Sequence, residues 1–93
     1  MFIHMVLFKI QKKNVPVYVR DCKMWADEAK KHAGFLGYKT LSRTNEKNEY
    51  ASFYMWKSQS YHTRFIGKHH DRLVSLSRCP VHVMGYYNFE QKS

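Results

Sequence analysis

Cysteine is scarce in this chain: Cys22 and Cys79 are the only two in 93 residues. Two thiols cannot build a disulfide framework, and their separation matches no metal-binding spacing, so the expectation is a reduced, cytoplasmic protein. Acidic residues are also few, seven Asp and Glu against sixteen Lys and Arg, which leaves a formal charge of +9. Such an excess suits an anionic partner: nucleic acid, a phosphate, an acidic small molecule or a membrane surface. It is equally what lysine-rich solvated faces produce. No apolar run approaches the ~20 residues of a membrane-spanning helix, and no charged leader with a cleavage site opens the chain. A glycine-rich phosphate loop and a Rossmann fingerprint are missing, which removes support for flavin or nicotinamide binding. HxxxH, HExxH, CxxC and acidic clusters are missing too, so neither a metal shell nor any cofactor is expected. Repeats, low-complexity tracts and linkers are absent, and residues 1–93 read as a single domain. What the chain does have is apolar and aromatic content, 44% and 16%, enough to fold around a modest core.

Patterning gives the elements. FIHMVLFKI, from Phe2 to Ile10, is rich in β-branched and aromatic residues and predicts a strand. Asn14 and Pro16 mark a helix start, and Tyr18, Cys22, Trp25, Ala29 and Ala33 follow at helical spacing until Gly34. A second strand is predicted over Tyr38 to Arg43, a hairpin loop over TNEKNE, and a third strand over Tyr50 to Trp56. Ser58 is placed to cap a second helix carrying Tyr61, Phe65, His69, Leu73 and Leu76 on one face, with Gly67 a point where it can break in two. Val81 to Phe89 completes the set as a fourth strand. The order β-α-β-β-α-β is the ferredoxin-like α+β arrangement, with a four-stranded antiparallel sheet and both helices on one face. Three of the strands alternate apolar with apolar. The first sets Phe2, His4, Val6 and Phe8 against Ile3, Met5 and Leu7. The third sets Tyr50, Tyr54 and Trp56 against Ala51, Phe53 and Met55, and the fourth sets Val81, Val83 and Tyr87 against Met84 and Tyr86. An open sheet face normally reads polar. A second copy of the same sheet is the simplest cover, which predicts a homodimer closed into a barrel.

Several stretches resemble the dimeric α/β-barrel superfamily, in particular the antibiotic-biosynthesis-monooxygenase-like and stress-responsive A/B-barrel domains. FIHMVLFKI resembles the histidine-bearing first strand of the stress-responsive group. GFLGYKT resembles the entry to the second strand of the monooxygenase-like group, and YASFYMWKSQSYHTRF their third strand and following helix. FIGKHHDRL is similar to a small bacterial family with a His-Asp pair at this point. The resemblance implies a small-molecule-binding barrel. It further implies a cofactor-free monooxygenase acting on an aromatic or polyketide-like compound, or else a non-catalytic ligand-binding or stress-response dimer. It argues against haem degradation: the first strand has no Asn, Phe65 stands where that branch has Trp, and Ser75 where it has His. The cyclase branch is matched by His4 on the first strand. Its helical Tyr is replaced by Phe65, and His69 and His70 lie beside the position of its helical His.

Histidine carries the candidate chemistry, because a neutral imidazole exchanges protons near pH 7. His4, His69 and His70 are the candidate catalytic residues, and His82 ranks below them. On this reading His4 and His69 face one chamber from opposite walls, and a Lys or Arg near its mouth stabilises the oxyanion formed by proton abstraction. Tyr38, Tyr54, Trp56 and Phe65 are the candidate ligand-binding residues, with Phe53 and Trp25 completing an aromatic pocket for a small hydrophobic or anionic ligand. Each of these side chains also has a plain use as core. His69 and His70 are neighbours on a helix and point about 100° apart, so they cannot share a metal ion. RNA binding is a lesser reading: KNEYASFYMW only partly follows the aromatic signature of an RNA-recognition strand, which makes nucleic acid a poor partner.

Overall fold

The computed structural model describes all 93 residues, Met1–Ser93. β1 (Phe2–Lys9) leads through a single 3-10 turn, Lys12–Asn14, into α1 (Val15–Ala29). β2 (Phe35–Ser42) and β3 (Glu49–Trp56) form a hairpin, followed by α2 (Gln59–Leu76) and β4 (His82–Glu90). The sheet is antiparallel in the order β2-β3-β1-β4, the ferredoxin-like α+β architecture expected from the sequence. β1 and β3 therefore occupy the centre, where two-sided apolar patterning belongs.

Boundaries follow local chemistry. α1 has Pro16 in its first turn, where a missing N–H costs nothing, and it ends four residues before the expected Ala33. A tight turn then carries the chain to Gly34, which takes φ +89; an added Cβ there would lie 2.3 Å from the Tyr61 ring. Only glycine satisfies both demands. α2 runs unbroken through Gly67, because Phe65 and Leu73 are buried on either side of it and anchor both halves to the core. Two apolar clusters result. One joins Phe2, Ala29, Trp56, Phe65 and Leu73; the other joins Ile10, Tyr18, Cys22 and Cys79.

β4 departs from simple alternation. Leu7 pairs with Gly85 and Phe8 with Val83, so Met84 is an extra residue in a β-bulge. The bulge shifts the facing by one position. Tyr86, not Tyr87, joins Val81 and Val83 on the helix-covered side, and Tyr87 opposes Met5 on the open side. The open face thus collects Ile3, Met5 and Leu7 of β1, Phe53 and Met55 of β3, and Tyr87 and Phe89 of β4, the last two 43% and 49% exposed.

Asp21 is the principal polar tie between the elements. It is 6% exposed on α1, and its Oδ2 accepts the backbone N–H groups of Arg78 (2.9 Å) and Cys79 (2.8 Å), while Oδ1 accepts from Arg20 (2.8 Å). This carboxylate, together with the Trp25 indole N–H donated to Ser77 Oγ (2.9 Å), holds the loop between α2 and β4 against α1.

Candidate functional site

Between the helices and the sheet lies a cavity of about 440 Å³, inside the range of small-molecule pockets. Its floor is the inner face of β1 and β3, with His4, Val6, Phe8, Ser52, Tyr54 and Trp56. α1 contributes Tyr18, Cys22 and Trp25. α2 contributes His62, Phe65, Ile66, His70 and Val74. Val74, Val81, Val83 and Tyr86 also line it yet are exposed, Tyr86 at 65%, so the mouth opens between the end of α2 and β4. No Lys or Arg lines this space. The expectation of a cation near the mouth is thereby corrected: long charged side chains stay in water, and the walls are apolar.

The polar groups within this wall are few and specific. His4 Nδ1 lies 2.7 Å from Asn88 Oδ1, across the β1–β4 pair. An amide oxygen only accepts, so this nitrogen carries a proton, and in the neutral ring the lone pair is then on Nε2. The His62 ring packs on His4 with centroids 4.4 Å apart, and on Phe2 at 5.4 Å. Burial, and secondarily His4, pushes the His62 imidazole down to about 4, so it is neutral at pH 7. Tyr54 and Tyr18 are pushed upward, chiefly by burial, and remain protonated: Tyr54 donates to the Cys22 carbonyl (3.4 Å), and Tyr18 is bonded to Ser52 Oγ (2.7 Å). The buried indole N–H of Trp56 has no acceptor at all. A buried donor left unpaired costs about 1–3 kcal/mol.

The structure thus gathers His4, His70, Tyr54, Trp56, Phe65 and Trp25 around one space and leaves His69, Tyr38, Phe53 and His82 out of it. His69 turns away, toward α1, where its ring meets His32 at 4.7 Å and Phe65 at 5.5 Å. The imagined pairing of His4 with His69 across one chamber is therefore replaced by His4 with His62. Tyr38 sits behind Tyr54, stacked at 6.1 Å, and Phe53 lies on the open face of the sheet. His82 is exposed opposite Lys9 at the edge of the sheet. The reason is a rotation of stripe: the cavity sees His62, Ile66, His70 and Val74, an i,i+4 ladder one position along from Tyr61, Phe65, His69 and Leu73. His62 itself was legible as a member of that second ladder.

His62 also sets an acid limit. Its folded value lies below that of a free imidazole, so the unfolded chain binds the extra proton first. Stability is full above about pH 6.5 and falls as pH drops toward 4. Thermal melts from pH 7.5 to 4.5 should show this loss, and His62→Phe should flatten it; an unchanged slope in the variant would show that His62 is not the group responsible.

No protein-family model matches the sequence, and no curated protein matches it either. Solved structures do. MupZ from Pseudomonas fluorescens superposes with a TM-score of 0.75 at 10% identity over 94% of this chain and 69% of that one. A conserved protein from Methanosarcina mazei gives 0.74 at 16% identity, covering 98% and 92%. A mutant of SnoaB, a cofactor-independent oxygenase from Streptomyces nogalater, gives 0.73 at 12% identity, covering 99% and 93%. The same fold is found in solved structures described as antibiotic biosynthesis monooxygenases, at 9–11% identity. At these identities the likeness is one of fold. No helix is long and apolar enough to cross a membrane.

Proposed function

We propose that the protein binds an aromatic or polyketide-like compound in the cavity and oxidises it with molecular oxygen, without a cofactor. The observation that carries this reading is the Asn88–His4 hydrogen bond at the wall of an apolar cavity, because it fixes the ring beside a ligand-sized space with Nε2 as the basic nitrogen of the neutral tautomer. His4 takes a C–H proton from an electron-rich ring position of the substrate. The resulting carbanion, delocalised as an enolate, adds oxygen, and the peroxide loses water to leave a carbonyl. One oxygen atom enters the product and the other departs as water. The cavity holds no cationic side chain, so the enolate charge is spread by delocalisation into the substrate's own ring system. Phe65 supplies an apolar wall and no phenolic acid, which favours oxygenation over ring closure. His70, 5.9 Å from Trp25, and Tyr54 contribute to substrate placement. His69 and Tyr38 act only through the residues they support.

An oxygen electrode with a panel of anthrones and naphthols tests this. Substrate-dependent oxygen uptake by metal-free protein supports it. Ligand-induced shifts of the His4 and His62 ring nitrogens with no uptake would instead make the protein a non-catalytic binder. RNA is disfavoured because Tyr50, Tyr54 and Trp56 oppose the helix-facing residues Phe8, His4 and Phe2, leaving β1 with no outward aromatic for stacking.

The same proposal includes a homodimer through the open sheet face. Ile3, Met5, Phe53, Tyr87 and Phe89 form a continuous apolar surface, and a sheet-to-sheet contact of about 2,000 Å² would cover it. Sedimentation should give a 22 kDa species, twice the 11.2 kDa chain. Met5→Lys with Phe53→Lys should convert it to monomer; a folded wild-type monomer at micromolar concentration would refute the dimer.

A further inference from the structure

On the other flank of α2, away from the cavity, Glu28, His32 and His69 converge. Glu28 and His32 are four residues apart at the end of α1 and in the turn beyond it, while His69 comes from α2. One oxygen and two ring nitrogens lie within 4.8 Å of one another, and His69 Nδ1 is 3.5 Å from Glu28 Oε1. We propose that these three side chains form a binding site for a divalent transition-metal ion, zinc(II) above all, at the seam between α1 and α2.

Donors at about 2.0–2.1 Å around a tetrahedral zinc ion stand about 3.4 Å apart. The Glu28–His69 pair already has that separation. His32 lies in a turn rather than a helix, so a side-chain rotation closes its remaining distance. Two imidazoles and one carboxylate are a donor set that zinc takes readily, with water completing the shell.

Arg72 supplies an independent observation. Its Nη2 is 2.8 Å from Glu28 Oε1 and 3.0 Å from His69 Nδ1, so two lone pairs already aim at one cationic point. Because a guanidinium only donates, Nδ1 of His69 must be the unprotonated nitrogen, the form that binds metal. Glu28 and His69 are only 15% and 19% exposed, whereas the Arg72 side chain is 50% exposed and free to swing into water. The other nitrogen of His69, Nε2, is buried with no partner, so the ring gains little from its present surroundings. Arg72 therefore acts as a displaceable plug. Phe65 touches both rings, His32 at 5.4 Å and His69 at 5.5 Å, and it also lines the cavity, so an ion here would stiffen one cavity wall.

The test is titration of tag-free protein with zinc(II) by calorimetry, and with cobalt(II) by visible absorption. About one ion per chain should bind with a dissociation constant on the order of micromolar, and cobalt should show the intense bands of a low-coordinate complex. His32→Ala and His69→Ala should each weaken binding by about 100-fold, with Glu28→Gln as a shape-conserving third variant. Arg72→Gln should tighten it by roughly tenfold, since the competing cation is gone. His62→Gln and His70→Gln should leave it unchanged. Absence of saturable binding up to millimolar metal overturns the site. So does binding that survives in the folded Glu28→Gln and His69→Ala variants, weakens in Arg72→Gln, or follows His62 instead. None of these outcomes depends on oxygen uptake.

Discussion

Oxygen uptake by His4→Gln should fall by about two to four orders of magnitude relative to wild type, with little change in substrate affinity. Glutamine keeps a hydrogen-bonding group toward Asn88 but has no basic nitrogen, so binding is retained while proton abstraction is lost. That range is what a positioned general base contributes. Asn88→Ala should produce a smaller loss, because it removes the 2.7 Å bond that fixes the His4 tautomer and leaves the base itself in place. His62→Phe preserves the stacking surface at 4.4 Å and tests whether the second imidazole has any part in the chemistry. An unaltered rate in His4→Gln would remove the proposed base. Calorimetric titration of the variant with the best wild-type substrate separates lost chemistry from lost binding.

Asp21→Ala should cost about 3 kcal/mol of stability, as much as truncating a buried core side chain. The carboxylate receives two backbone N–H groups, from Arg78 and Cys79, at 2.9 and 2.8 Å. Hydrogen bonds to a charged acceptor contribute about 1.5–3 kcal/mol each, and donors left unpaired in a buried site add their own penalty. Partial access of water to Arg78 keeps the total below the sum of the upper limits. In a domain of this size the loss corresponds to a fall of roughly 12–20 °C in melting temperature. Asp21→Asn retains an accepting oxygen and should cost much less. Equal effects of the two substitutions would show that packing, and not the pair of backbone bonds, is what Asp21 provides.

Those two residues illustrate what could be read from the chain beforehand. His4 was legible because a histidine in an apolar strand is rare and its facing follows from strict alternation along β1. Asp21 was not: its partners lie 57 and 58 residues away, and nothing local announces that a helical aspartate will hold a distant loop. The β-α-β-β-α-β order and the two-sided apolar strands came from period-2 and period-3.6 patterning, which is a local property. Facing on β4 failed at Met84, because a bulge inserts one residue without altering composition. His69 was misplaced for a related reason. α2 has apolar residues over a broad arc, and only its tilt against the sheet decides which flank overhangs the cavity. Tyr61, Phe65, His69 and Leu73 gave the better helical stripe, yet His62, Ile66, His70 and Val74 border the open space. The meeting of Glu28, His32 and His69 depends on how two helices cross, so spacing rules within one segment could not reveal it.

The position of β1 has a consequence for how the chain is made. It is synthesised before both strands it pairs with, and it lies inside the sheet, with Phe2 paired to Glu90 on one side and Trp56 on the other. Until residue 90 has left the ribosome, one edge of an apolar strand has no partner. A sheet closed by its last strand is a fold of long-range contacts, which form slowly and late. During that interval FIHMVLFKI is a short, weakly charged, β-prone segment of the kind that pairs with other nascent chains. Yield of soluble protein should therefore depend on translation speed, temperature and holding chaperones more than on the stability of the finished molecule.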